Sequence, residues 1–254
     1  MRDKKAYINS ERCIDCGVCI RVCPPHAKKA IYDGLDVLQK FDYTIALPAP
    51  SFIAQFNNLE NVELVLNALI EFGFDAVYEV AKAAEIVSAA TRELMKGDTL
   101  PRPVISSACP AVTRLIRVRF PALIDHVLPL NAPIEVAAHY AKLEAMEKTG
   151  LPYEKIGAIF VSPCPAKVTA TKMPLGIEKS EVDAVIAAKD LYPKLLPLMK
   201  EIVHNEPKTF SETGRIGLSW GSSSGESSGL IMDNYLAADG IENVIRVLED
   251  LEEE

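Results

Sequence analysis

Apolar residues along this 254-residue chain come in short runs that switch between two spacings. Residues 43–47, Tyr-Thr-Ile-Ala-Leu, form one continuous run closed by Pro48 and Pro50, the pattern of a strand buried on both faces. Helical spacing follows over 62–73, then a strand over 76–80 and a helix rich in Ala, Glu and Leu over 81–96. The alternation continues with a strand over 103–106, a helix over 111–118 and a long amphipathic helix over 134–148 stopped by Gly150. Strands over 156–161 and 182–188 and a helix over 191–203 complete it. Strand alternating with helix predicts an α/β fold with a mainly parallel sheet, whose ligands gather beyond the carboxyl ends of the strands.

Two stretches break the rhythm. The run Gly217-Leu-Ser-Trp220-Gly221-Ser-Ser-Ser-Gly225-Glu-Ser-Ser-Gly229 has the composition of a linker. Ile216 and Leu218 precede it like a strand and 230–238 follow like a helix, so its glycines are expected to let a loop pass close to a ligand. The first 40 residues are short of apolar runs, basic and cysteine-bearing, which places a domain boundary near 40 and divides the chain into 1–40 and 41–254. The tail over 249–254 is acidic and helical, and no internal repeat is visible.

Composition narrows the function. Hydrophobic residues make up 49% of the chain, enough for a sizeable core. A net charge of -8 would meet a phosphate backbone mostly with repulsion, which argues against a nucleic-acid partner. The apolar runs fall short of the roughly 18 residues of a spanning helix, and Met1 to Lys5 lead into polar sequence without a signal-peptide core. The expectation is a cytoplasmic protein with no membrane partner.

Four of the six cysteines lie in Cys13-Ile-Asp-Cys16-Gly-Val-Cys19-Ile-Arg-Val-Cys23-Pro24. Disulfides between them would close tiny loops and restrict the unfolded chain little, so the thiols read as metal ligands. A zinc ribbon would want two separated pairs. The spacing C-x2-C-x2-C-x3-C-P is instead the bacterial ferredoxin run, which wraps a [4Fe–4S] cube. Gly17 leaves the loop unhindered and Pro24 ends the turn. In two-cluster ferredoxins the fourth cysteine of a run binds the other cluster, so Cys23 either closes its own cube or serves a second one.

Cys109 and Cys164 each follow a predicted strand, in Ser106-Ser107-Ala108-Cys109-Pro110 and Ser162-Pro163-Cys164-Pro165-Ala166-Lys167. A cysteine at such a junction is, on its own, more often a small buried hydrophobe than a ligand. Together the two motifs resemble two signatures of the iron-only ([FeFe]) hydrogenase catalytic domain. The resemblance runs over nearly the whole chain and includes the ferredoxin segment and the Gly/Ser loop. It implies a small ferredoxin-like segment followed by two α/β lobes. In that family four cysteines hold a [4Fe–4S] cube, and one bridges to a two-iron site where hydrogen is split or formed. Cys109 and Cys164 would then be two cube ligands, Lys167 the cation that pairs with a cyanide of the two-iron site, and a ferredoxin or similar redox protein the electron partner.

Departures from the family pattern bear on activity. A proton-relaying thiol usually precedes the first cube ligand, and Ala108 stands there; the usual glutamate three residues past the lysine is Ala170. The third motif, with the remaining two cysteines, would lie beyond Glu254, so the chain reads as part of a longer protein. The relay substitution resembles the sensory branches of the family. The competing expectation is a non-catalytic [4Fe–4S] electron-transfer or redox-sensing module. His26, His126, His139 and His204 show no metal-site spacing, and no phosphate-binding loop is present. Glu226 reads as an acid at a helix start, and Arg114, Arg117 and Arg119 as a solvated helix face or a landing site for an acidic ferredoxin.

Overall fold

The structure, a computed structural model, describes residues 7–57, 59–97, 99–203 and 207–253. The expectations for Met1 to Lys5 and His204 fall outside the described residues. In chain order the elements are α1 (Val18–Arg21), β1 (Tyr43–Pro48), α2 (Pro50–Ile53), α3 (Glu63–Phe72), β2 (Ala76–Val77) and α4 (Val80–Met95). There follow α5 (Pro110–Arg119), α6 (Pro133–Thr149), β3 (Ile156–Ser162), α7 (Pro165–Lys172), β4 (Ala184–Ala187) and α8 (Ala188–Ile202). The last three helices are α9 (Arg215–Ser219), α10 (Gly225–Ser228) and α11 (Ile241–Glu253).

The strands form one four-stranded parallel sheet in the order β2-β1-β3-β4, as the alternating pattern requires. Every residue of β3 and β4 is buried, which is why both read as unbroken apolar runs. Three aspartates close the sheet's entry edge in the same way. Asp75 accepts the Thr44 amide at 2.8 Å, Asp183 that of Ala158 at 2.8 Å, and Asp33 that of Val185 at 2.9 Å. Helix α3 packs with α8, α4 with α6, and α6 on β1 and β3, so the central strands lose contact with water. Gly157 is required in β3 because a Cβ there would stand 2.4 Å from the Phe41 ring.

A second, smaller apolar cluster gathers Leu115, Ile116, Phe120 and Leu123 with Leu248 of α11. Ile14 and Ile105 pack against it. Among the described residues this lobe contains no sheet. The strand expected over 103–106 is a single parallel bridge between Ile105 and Val127, because Pro103 has no amide to give and the chain turns at Ser106. Ile216 and Leu218 belong to helix α9, not to a strand, with the Gly217 amide held by Glu85 at 3.0 Å. The helix expected over 230–238 is absent. Ile231 sits at φ 55°, which turns the chain out of helical geometry, and Leu230, Met232 and Tyr235 spread along a cavity wall.

Where a close approach to a ligand was expected, Gly217 and Gly225 of the Gly/Ser loop make room for the protein's own backbone. A Cβ on Gly217 would stand 2.2 Å from the Ala81 carbonyl oxygen, and one on Gly225 1.6 Å from that of Ser219. Among the described residues no helix is long and apolar enough to cross a membrane.

Candidate iron–sulfur site

The cysteine run folds into a loop around the one-turn helix α1. Gly17 caps it at φ 77°, ψ 1°, and its carbonyl accepts the amides of Ile20 at 3.0 Å and Arg21 at 3.1 Å. All four thiols are free; Cys13 and Cys23 are half-buried and Cys16 and Cys19 exposed. Burial pushes the Cys13 thiol up, against the opposing hydrogen bond from the Asp15 backbone and with help from the Asp15 carboxylate, whose oxygen lies 3.5 Å from Sγ. Iron would reverse that preference, since coordination holds a thiol deprotonated. Among the described residues no three His, Cys, Asp or Glu side chains close on a single ion. Four free thiols at ferredoxin spacing on a glycine-cornered loop suit a cube, in which each thiolate takes a separate corner.

This loop lies on the start of α7. A Cβ on Gly17 would come within 2.9 Å of Pro165 Cγ, and Pro165 follows Cys164 directly. Arg114 on α5 approaches Asp15 of the loop at 3.9 Å and donates to the Met173 carbonyl at the end of α7 at 2.6 Å. Its side chain is 15% exposed, so the expectation of a solvated arginine face fails at Arg114: that cation ties the cysteine loop to α5 and α7. Arg119 pairs with Glu249 of α11.

Cys109 and Cys164 occupy matching places. Each caps a helix from extended backbone, at φ -97° and -95°, and each is followed by proline at the first helical position. Beside each, a serine hydroxyl accepts an amide two residues on at 3.1 Å: Ser106 from Ala108 and Ser162 from Cys164. The two helices pack together, and both cysteines line one cavity of about 1060 Å³ at the carboxyl end of the sheet. Its wall includes Pro50, Phe160 and Trp220, and Val244 and Leu248 of α11. Lys167 reaches across it and donates to the Ala108 carbonyl at 3.0 Å. Two helix N-termini and one ammonium give the cavity a positive bias, suited to an anionic group.

Sequence reasoning missed several polar groups here. Glu226 does lie in the first turn of α10, but its carboxylate accepts the Ser106 hydroxyl at 2.5 Å and faces the cavity. Burial raises its pKa against the opposing pull of Ser106 and Lys167. Burial also raises Glu135 on α6, which holds the Ser180 hydroxyl and the Glu181 amide, each at 2.7 Å. Tyr32 is pushed up to about 12, first by burial and then by the charge of Cys164. No spacing rule marks these residues, because their partners lie far away in sequence. The histidines stand apart: His139 lies 3.6 Å from Glu181, and His126 bonds the Pro103 carbonyl at 2.9 Å.

Comparison with known proteins agrees with this geometry. Residues 6–29 match the 4Fe-4S binding domain, so the cofactor of the run is a [4Fe–4S] cluster. The NADP-reducing hydrogenase subunit HndD of Solidesulfovibrio fructosivorans is 26% identical over 201 residues, 70% of this chain and 34% of HndD. The chain thus spans about a third of the length of that curated relative. Apo [FeFe]-hydrogenase HydA1 from Chlamydomonas reinhardtii superimposes with a TM-score of 0.51 at 18% identity, over 62% of this chain and 44% of that one. HydA(deltaEFG), solved in a study of stepwise H-cluster assembly, does so with a TM-score of 0.51 at 19% identity, over 66% and 46%. These two share the fold. Residues 42–230, well over half the chain, match the C-terminal domain of the iron only hydrogenase large subunit, and the chain belongs to that family.

Proposed function

We propose that this protein carries electrons from a cube held by Cys13, Cys16, Cys19 and Cys23 to a second iron–sulfur group at Cys109 and Cys164, where hydrogen is turned over or sensed. The observation that carries the reading is the contact of Gly17 with Pro165, which brings the ferredoxin-type loop to the turn that presents Cys164. In the same reading 1–40 form the electron-entry unit and 41–254 the body around the cavity. A ferredoxin or other small redox protein supplies the electrons in the reducing cytoplasm.

When bound, a second cluster would supply a store of electrons and, with a two-iron subsite, a place for hydrogen. The chain's own residues supply the rest. Cys109 and Cys164 present thiols from two helix starts, and Lys167 sets a cation beside them for an anionic ligand such as cyanide. Phe160, Trp220 and α11 keep the wall apolar. Cys109 and Cys164 account for two of the four thiolates a cube takes, and the other two are proposed to come from outside residues 1–254.

Anaerobic reconstitution of the natural gene product tests this through iron and sulfide content and electron paramagnetic resonance. A Cys109→Ala, Cys164→Ala double variant should lose the second cluster's signal and keep that of the first. Unchanged iron content and spectra would refute the proposal. They would support the alternative of a single-cluster electron-transfer or redox-sensing module, which the alanine at 108 favours.

A further inference from the structure

We infer that Arg114 is the cation serving the cluster of the cysteine run, its Nε–H facing the anionic cube held by Cys13, Cys16, Cys19 and Cys23 and stabilising the cube's reduced state. The inference rests on the entry cluster proposed above and needs nothing from the cavity.

The position of Arg114 follows from the packing around it. It lies in the second turn of α5, the helix capped by Cys109. Ile14, between Cys13 and Asp15, packs against the apolar cluster that holds Leu115 and Ile116, which sets the cysteine loop beside this helix. A terminal nitrogen of the guanidinium donates to the Met173 carbonyl at 2.6 Å, at the end of α7. Nε stands 3.9 Å from Asp15 Oδ2, beyond hydrogen-bond reach, and is buried without a partner among the described residues. A buried N–H left unpaired is costly, so such a donor points to an acceptor supplied on binding. The other oxygen of the same carboxylate lies 3.5 Å from Cys13 Sγ, so the orphaned donor and a cluster thiol flank one side chain.

A thiolate-ligated cube is anionic, and its potential responds to local charge, to hydrogen bonds at sulfur and to solvent exposure. A guanidinium supplies both charge and donor, and it stays protonated throughout. Arg12, Arg21 and Lys29 of the cysteine segment are exposed, so water and salt screen them. Only 15% of the Arg114 side chain is exposed, and its charge acts through a lower dielectric. Asp15, 29% exposed, opposes it. Reduction brings one electron from the redox partner to the cube; no bond to Arg114 forms or breaks, and its N–H donates more strongly to the more negative sulfur. The same guanidinium holds the end of the helix that Cys164 caps, so the charge near the entry cluster is tied to the second cysteine turn.

The test uses the full chain, reconstituted anaerobically, with Cys109→Ala and Cys164→Ala present so that the entry cluster alone titrates. Redox titration followed by electron paramagnetic resonance gives its midpoint. Arg114→Gln should disfavour the reduced state about tenfold, a fall of about 59 mV for a one-electron couple. Arg114→Lys, which keeps the charge and loses the Nε–H, should recover part of this, and Asp15→Asn should move the midpoint the opposite way. A second readout needs no potential. With isotope-labelled arginine, the Nε–H resonance that Arg114→Lys deletes should shift and relax faster when the parent chain takes up its cluster. An Arg114 that only tied the loop to α7 would lower the melting temperature in Arg114→Gln and leave the midpoint in place. A reduced-to-oxidised ratio within about twofold of the parent's in Arg114→Gln, or an Nε–H resonance unmoved by loading, overturns the inference and leaves the proposed electron route standing. A cysteine run that takes up no cluster overturns both.

Discussion

Gly17→Ala is the sharpest probe of how the cysteine loop sits on the body. Gly17 adopts φ 77°, where an L-residue costs about 1–2 kcal/mol. The added Cβ would also stand 2.9 Å from Pro165 Cγ, well inside the roughly 3.5–4.0 Å of a comfortable carbon contact. Together the two effects should destabilise the docked loop by about 2–3 kcal/mol, or roughly 30- to 150-fold in its opening equilibrium. Native-state hydrogen exchange reads this directly at the amides of Ile20, Arg21 and Val22, which bond to the carbonyls of Gly17 and Val18. Pro165→Ala in the same chain should recover the steric part and leave the dihedral part. Gly17→Asn, which tolerates positive φ better, should recover the complementary part. Exchange in Gly17→Ala within about threefold of the parent would refute the docking that the proposed electron route requires.

Two further outcomes follow from buried charge. Lys142, with 5% of its side chain exposed, pairs with Asp183 at 2.6 Å, and Asp183 also accepts the Ala158 amide of β3. Lys142→Met should therefore cost about 3 kcal/mol in urea unfolding, and Asp183→Asn in the same chain should recover part of it. Glu135 has its folded pKa raised above the ordinary 4.5 by burial, so the folded state binds its proton more tightly than the unfolded one. Its contribution is fully present below about 4.5 and is lost as pH rises through the folded value; Glu135→Gln should flatten that fall of stability with pH in urea titrations from pH 4 to 8.

Most of the fold was legible because buried parallel strands and helices carry local signals. The runs at 43–47 and 156–161 and the stripe ending at Gly150 all mark real elements. Errors fell where tertiary contact overrode local pattern. Ile216 and Leu218 alternate like a strand, yet Gly217 is pressed against the Ala81 carbonyl and Glu85 holds its amide, so the segment coils onto α4. The 230–238 stretch has helix-forming residues, but its apolar side chains are spent on the cavity wall. At the site, the cysteines were legible as motifs because ligand spacing is a property of the chain. Glu226 was legible only as a helix-start acid, because its partner Ser106 lies 120 residues away.

The two cysteine turns explain why such a site can be preformed. In each, proline fixes the first helical residue and a serine hydroxyl takes up an amide of the turn, so the thiol is presented by contacts that involve no metal. Lys167 then bridges the two turns through the Ala108 carbonyl, coupling the spacing of the thiols to the position of the cation. Replacing Lys167 would loosen both at once. A preorganised pair of this kind lowers the ordering cost of inserting a cluster. Glu226, the one carboxylate on the cavity wall among the described residues, is held against the same turn by the Ser106 hydroxyl.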